Sequence, residues 1–226
     1  MRKYFIVMKA SLKSNLKYRQ EVVGRSFFML MIMYIFICLW RAGYGEKDKI
    51  CDYSYSQIVF YLLITETVAL SKMNEISKKV SDEVKGGLVV YLLNKPYNYI
   101  MYQFFNEMGI CLPKLVINFC AGYLMIILTV GTVATSILNL FFVFFSIILS
   151  IFVDFCFSVL IGILSFRFED VSGINMIYQK INQIFGGLFI PLNFLPNWMR
   201  TIAQILPFSS IYSLPAELYI NFNKII

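Results

Sequence analysis

The sequence predicts an all-α, polytopic helical membrane protein that forms a single transmembrane domain over residues 1–226. Of its 226 residues, 59% are hydrophobic and only 15% are charged, and the mean hydropathy is +0.70. This composition is too apolar for a water-soluble domain of the same length. The apolar runs also approach or exceed the roughly 18 to 20 residues that cross about 30 Å of hydrocarbon as a helix.

Five membrane spans are predicted from these apolar runs. The third and fourth exceed the thickness of a bilayer, so we expect their ends to protrude or the helices to tilt. The first has no small-residue cleavage site and is therefore a retained span rather than a signal peptide. The spans lie near residues 24–44, 55–71, 101–130, 137–166 and 172–191.

Residues 1–23 predict an amphipathic interfacial helix. A helix with one apolar and one basic stripe lies on an anionic membrane surface, although a basic lead-in that only fixes topology would show the same pattern. The apolar stripe is Phe5, Met8, Leu12 and Leu16, and the basic one is Lys9, Lys13 and Lys17.

The distribution of Lys and Arg predicts which ends of the spans face the cytoplasm. These residues crowd the N-terminus and the second connection, whereas the first and third connections hold only Arg41, Lys47 and Lys49. The positive-inside rule therefore places the N-terminus and residues 72–96 in the cytoplasm. With five spans the C-terminus would lie outside, unless a final span is missing from this sequence.

Prolines interrupt the chain after the fifth span. They cut residues 186–219 into pieces too short to cross a bilayer, and the aromatic residues of this region suit the depth of lipid headgroups. We expect short re-entrant helices in the outer leaflet. The prolines are Pro191, Pro196, Pro207 and Pro215, and the aromatic residues are Trp198, Tyr212 and Tyr219.

The polar second connection, residues 72–96, predicts a short amphipathic helix at the cytoplasmic face. An apolar stripe recurs at helical spacing, formed by Met73, Ile76, Val80 and Val84, while the charged residues point elsewhere. Gly86 and Gly87 can adopt the left-handed backbone that ends a helix. Such a helix would present its charges to a soluble partner. A solvated connection whose charges only set orientation is the alternative on composition alone.

Three stretches resemble the membrane subunits of type-2 ABC exporters. "KGGLVVYLLNKP", residues 85–96, resembles the segment that follows the second span of this family. "FEDVSGINMIYQKINQIFGGLFIPLNFLPNWM", residues 168–199, is similar to its fourth connection, fifth span and outer re-entrant helices. "IAQILPFSSIYSLPAELY", residues 202–219, is similar to the segment before its last span.

The resemblance implies a multi-pass permease of a bacterial plasma membrane, with six spans in the complete subunit. Its implied partners are cytoplasmic ABC ATPase subunits, a second permease copy or homologue, and the lipid bilayer. Residues 72–96 would contain the coupling helix, which docks on the ATPase, and Arg167–Gly173 would make a second contact. The implied ATPase-contact residues are Lys78, Lys79, Asp82, Glu83, Lys85, Gly86, Gly87, Arg167, Glu169 and Asp170.

Several classes of chemistry are excluded or disfavoured. The chain has no His, which removes imidazole ligands and bases, and its five Cys show no metal-like spacing. No G-x-x-x-x-G-K-[ST] phosphate loop occurs, so we expect ATP and Mg²⁺ to be bound by the partner ATPase and this chain to hold neither cofactor nor metal. We predict a non-enzymatic subunit with no nucleic-acid partner.

Glu66, Asp154 and Lys180 are ionisable residues inside predicted spans. A charge at that depth costs about 3 kcal/mol unless it is paired, hydrated or neutralised. Similar depths for Asp154 and Lys180 predict an ion pair between the fourth and fifth spans. Alternatively, one of these groups lines a substrate path or relays a proton.

The preferred function is that of an exporter permease driven by separate ATPase subunits. The apolar interior favours an amphipathic or hydrophobic cargo, such as a peptide, lipid or drug. Two alternatives use the same spans: a non-transporting membrane anchor or assembly subunit, and an ion-coupled secondary transporter that depends on Asp154 and Glu66.

Overall fold

The structure, a computed structural model, describes the backbone of residues 2–15, 19–72, 76–131, 137–168 and 170–225. The prediction of an all-α fold is confirmed, since the described chain is helical apart from connections and one two-residue hairpin. The elements are α1 Arg2–Asn15, α2 Arg19–Tyr44, β1 Lys49–Ile50, β2 Tyr53–Ser54, α3 Tyr55–Ser71, α4 Ile76–Lys85, α5 Leu88–Leu93, α6 Tyr99–Thr129, α7 Ile137–Ile163, α8 Ser172–Phe185, α9 Asn197–Ile205 and α10 Ser213–Ile225.

Helix α3 is the central element of the fold. Its residues Ile58 to Val68 are all buried, because the helix is apolar on every face and packs against α2, α6 and α10. A capping box fixes its start: Ser54 Oγ accepts from the Gln57 amide at 3.4 Å, and Gln57 Oε1 accepts from the Ser54 amide at 2.9 Å. We call the end of the bundle where this helix begins the hairpin end, and the opposite end the α4 end.

The prediction of five full-length spans is only partly correct. Three helices are long and apolar enough to cross a membrane, at Gly24–Tyr44, Tyr99–Thr129 and Leu138–Phe166 of the described chain. Helix α3 has the predicted bounds, but its 17 residues cover only about 26 Å. The predicted span at 172–191 stops at Phe185 after 14 residues, so that prediction is wrong.

Helix α1 packs along the first half of α6. Tyr4 stacks on Phe105 with a ring-centroid distance of 5.7 Å, and Ser11 Oγ donates to Asn106 Oδ1 at 2.6 Å. Gly109 permits this approach, since a Cβ there would lie 2.3 Å from the Met8 carbonyl oxygen. Phe5 remains exposed. The predicted apolar stripe is therefore divided between α6 and the surface, while Leu16 and Lys17 lie outside the described residues.

The segment after α8 turns twice within the bundle. Gly187 adopts a φ of +76°, and the chain then passes α3 without helical hydrogen bonds: Tyr61 Oη donates to the Gly187 carbonyl at 2.6 Å, and Thr65 Oγ1 to that of Leu188 at 2.8 Å. Helices α9 and α10 follow as two short arms that meet near residues 206–212. Ser150 Oγ donates to the Ser210 carbonyl at 2.8 Å, which places this junction against the middle of α7.

Two tyrosines assigned to lipid headgroups lie elsewhere. Tyr212 is fully buried, and Tyr219 is 6% exposed and stacks on Phe60 of α3 with a centroid distance of 5.3 Å. Both face inward because α10 packs between α3 and α7. Trp198 is 64% exposed and fits the predicted position at the surface.

Candidate coupling surface and buried ion pair

Helix α4 lies flat against the lower part of α7 through its apolar face. Ile76 and Val80 are buried, as their helical spacing predicts, whereas Met73 lies outside the described residues. Gly162 of α7 makes room for this contact, since a Cβ at that position would lie 2.7 Å from Val80 Cβ and 3.1 Å from the Ser77 carbonyl oxygen. The predicted amphipathic helix is therefore present and is held closely on the bundle.

The charged residues of α4 divide into two groups. Lys79 Nζ lies 3.1 Å from Glu107 Oε1 of α6. Glu83 accepts hydrogen bonds from Tyr99 Oη and, at 3.0 and 3.1 Å, from Gln103 Nε2. These two residues attach α4 to α6 and are thus already occupied. The exposed charged group is Lys78, Asp82 and Lys85, and the exposed Gly86 and Gly87 follow it directly after the helix.

Gly87 has the left-handed backbone expected of a helix terminator, with a φ of +70°. Gly86 does not share it: its amide continues the α4 hydrogen-bonding pattern by donating to the Asp82 carbonyl at 2.9 Å. The turn between α4 and α5 therefore depends on Gly87, where a side chain would strain the backbone.

Two separate segments form one groove at the α4 end, which we call the coupling groove. It has a volume of about 110 Å³ and brings the exposed face of α4 beside Asp170 and Ser172. Ser172 donates to Asp170 from its amide at 2.9 Å and from its hydroxyl at 2.6 Å, and these bonds hold the pKa of the Asp170 carboxyl below its usual value. Arg167 is exposed nearby in sequence, and Glu169 lies outside the described residues.

A buried ion pair lies above this groove. Lys72, the residue that ends α3, places Nζ 3.4 Å from Asp154 Oδ1, and both side chains are at most 5% exposed. The same carboxyl oxygen accepts from Tyr178 Oη at 2.9 Å and from Asn182 Nδ2 at 3.3 Å. Three helices, α3, α7 and α8, therefore converge on one carboxylate whose charge is matched.

The predicted Asp154–Lys180 pair is wrong. Tyr178 and Asn182 are four residues apart and face Asp154 together, whereas Lys180 lies midway between them and points to the opposite side of α8. It is exposed, with Nζ 3.4 Å from Gln183 Oε1. Asp154 is satisfied instead by a lysine that the sequence places in a polar connection.

Comparison with known families identifies the chain. The family model described as "ABC-2 family transporter protein" matches residues 28–226. The chain belongs to the ABC-2 transporter family. No curated protein and no solved structure matches it. It is therefore a multi-pass membrane protein of this family, whose membrane subunits are generally non-catalytic.

Glu66 of this ABC-2 family protein is buried in the middle of α3. It is 3% exposed, and its Oε1 has no hydrogen-bond partner among the residues that the structure describes. Glu66 therefore lies inside the helical bundle and not at its surface.

Three members of the buried network were not predicted from the sequence: Lys72, Tyr178 and Asn182. A signal was present in α7 of this ABC-2 family protein, because polar residues recur every four positions and so lie on one face of the helix. All four are buried: Ser146, Ser150, Asp154 and Ser158. That stripe identifies the face of α7 on which a partner for Asp154 was to be sought.

Proposed function

We propose that this ABC-2 family protein is the permease subunit of an ATP-driven exporter in a bacterial plasma membrane, with its N-terminus in the cytoplasm. The coupling groove carries this proposal. Two segments that are distant in sequence, α4 and residues 170–175, line one small recess, and most of its lining residues are polar or charged. Membrane subunits of the family typically pair with ATPase subunits, and the groove is the surface to which such an ATPase would dock.

The exposed charges of α4 are suited to partner recognition. Lys78, Asp82 and Lys85 extend from a helix whose opposite face is fixed to α7 and α6, so that force applied to them moves the helix as a unit. The ATPase would bind ATP and Mg²⁺, and a second permease subunit would complete the transporter.

The proposed cargo is amphipathic or hydrophobic, such as a peptide, lipid or drug. A cavity of about 390 Å³ between α6 and α7 supports an apolar cargo or a lipid chain, because its lining is entirely apolar. Phe119, Leu140 and Phe144 are among its walls. No side chain there could replace the hydration shell of an ion or sugar.

Reversing the groove charges should detach the ATPase. We expect the double variant Asp82→Lys/Lys85→Glu to retain about tenfold less co-purifying ATPase, because like charges would face each other across a docked interface. The measurement is affinity purification from native membranes, followed by ATP hydrolysis by the eluted complex.

Lys49→Glu provides the matched control, since Lys49 is an exposed charge in the hairpin at the opposite end. It should leave the amount of co-purified ATPase unchanged. If the unaltered chain carries no nucleotide-hydrolysing protein, or if the groove variant keeps its full share, the proposed function is wrong. Retention by the groove variant would favour an anchor or assembly subunit, and the absence of any ATPase would favour a secondary transporter.

A further inference from the structure

A second recess, distinct from the coupling groove, lies between the two short arms α9 and α10. Its volume is about 470 Å³, within the roughly 300 to 1,000 Å³ of small-ligand sites. Its wall near Asn193 reaches the hairpin end, because Asn193 Nδ2 donates to Tyr53 Oη at 2.9 Å. We call this recess the polar cleft. Its polar lining includes Asn193, Arg200, Gln204, Ser213, Glu217 and Asn221.

The polar lining comes from regular stripes on both arms. Arg200 and Gln204 are one helical turn apart on α9, and Ser213, Glu217 and Asn221 follow one another at the same spacing on α10. The opposite face of α9 is apolar and exposed: Trp198 is 64% and Ile205 is 78% exposed. Each arm therefore turns its polar side toward the other and not toward lipid.

The cleft contains one positive and one negative side chain that do not pair with each other. Within the described chain, no ion pair of 4.0 Å or less joins Arg200 to Glu217, although both line the cleft. Ser213 Oγ donates to Glu217 Oε1 at 2.9 Å and so orients the carboxylate. Two separated charges of opposite sign, with amide and hydroxyl groups in the same lining, match a ligand that carries both charges.

We propose that the polar cleft binds a small zwitterionic group, with its ammonium on Glu217 and its anionic group on Arg200. A short peptide with both termini free and the headgroup of phosphatidylethanolamine both present this chemistry. As a statement about cargo, the inference rests on the proposed transport function; binding itself needs no ATPase.

Binding can be measured on the full chain in nanodiscs made only of phosphatidylglycerol, which contain no zwitterionic lipid. The probe is triglycine, followed by saturation-transfer NMR, and compared with N-acetyl-triglycine, which lacks the ammonium, and triglycine amide, which lacks the carboxylate. We expect triglycine to bind about tenfold more tightly than either derivative, since each derivative loses one charged hydrogen bond.

The variants separate the two charges. Glu217→Gln should abolish the preference for triglycine over the acetylated form, and Arg200→Gln the preference over the amide. Lys49→Gln and Asp52→Asn, which alter exposed charges outside the cleft, should change neither preference. Weaker triglycine binding in nanodiscs that contain phosphatidylethanolamine would show the headgroup occupying the same site, and so support the shared chemistry.

The proposal is overturned if triglycine and its two derivatives bind equally, or if none binds and phosphatidylethanolamine is not enriched around the chain. It is also overturned if Glu217→Gln and Arg200→Gln keep both preferences. Circular dichroism of each variant confirms that the helices are intact. Because ATPase co-purification is a separate measurement, failure here leaves the proposed exporter function standing, and the converse also holds.

Discussion

Lys72→Met should lower the free energy of unfolding by about 3–5 kcal/mol, the largest stability effect that we expect from any single substitution. It leaves the Asp154 carboxyl buried, with hydrogen bonds from Tyr178 and Asn182 but without the Lys72 ammonium. The measurement is a denaturant titration of the purified chain in detergent, followed by tryptophan fluorescence.

Lys180→Met is the matched control, because it removes an exposed lysine from the same neighbourhood. It should change the unfolding free energy by no more than about 0.5 kcal/mol. The double variant Lys72→Met/Asp154→Asn should recover much of the loss, since replacing both partners removes the uncompensated charge. Equal losses for the Lys72 and Lys180 variants would show that the ion pair does not stabilise the fold.

Gly162→Ala should displace α4 and uncouple it from the bundle. The added methyl group would lie 2.7 Å from Val80 Cβ and 2.9 Å from its Cγ1, so one helix must move. Overpacking of this kind costs about 1–3 kcal/mol. We expect reduced thermal stability together with loss of cargo-stimulated ATP hydrolysis in the complex, although the coupling groove keeps all its charges.

Two comparisons test this explanation. Gly24→Ala, in a helix where no atom lies within 4 Å of the new methyl group, should be neutral or slightly stabilising. Gly162→Ala/Val80→Ala should be more stable than the sum of its single effects, because the smaller residue at 80 makes room for the methyl group. Simple additivity would refute a steric contact between these positions.

The sequence predicted α4 well because its apolar residues recur with the helical period, and that period is a local property. The prediction that Lys180 pairs with Asp154 was wrong, because the estimated depth of a residue does not give its rotational position about the helix axis. The role of Lys72 could not be predicted because its sequence neighbours form a charged connection, whereas its side chain turns back into the bundle and reaches Asp154.

The end of α8 also could not be read from hydropathy. Leu188 to Pro191 are as apolar as the helix before them, so the apolar run continues past Phe185. Helix α8 ends because Gly187 adopts a left-handed backbone conformation. Two hydroxyls on α3 stabilise this end, since they donate hydrogen bonds to the carbonyls of Gly187 and Leu188. The two donors, Tyr61 and Thr65, are more than 120 positions away in the sequence, so no local pattern could predict them.

The hydroxyls of Tyr61 and Thr65 attach α3 to the segment after α8 at two positions along the helix. Lys72 follows the last residue of α3 and leads to α4. The middle of α3 donates hydrogen bonds to the carbonyls of Gly187 and Leu188. If α3 moves along its own axis, those two carbonyls must move with it, because they would otherwise lose their hydrogen-bond donors in surroundings without water. A displacement of α4 would thus be transmitted through α3 to the segment that leads into α9 and α10.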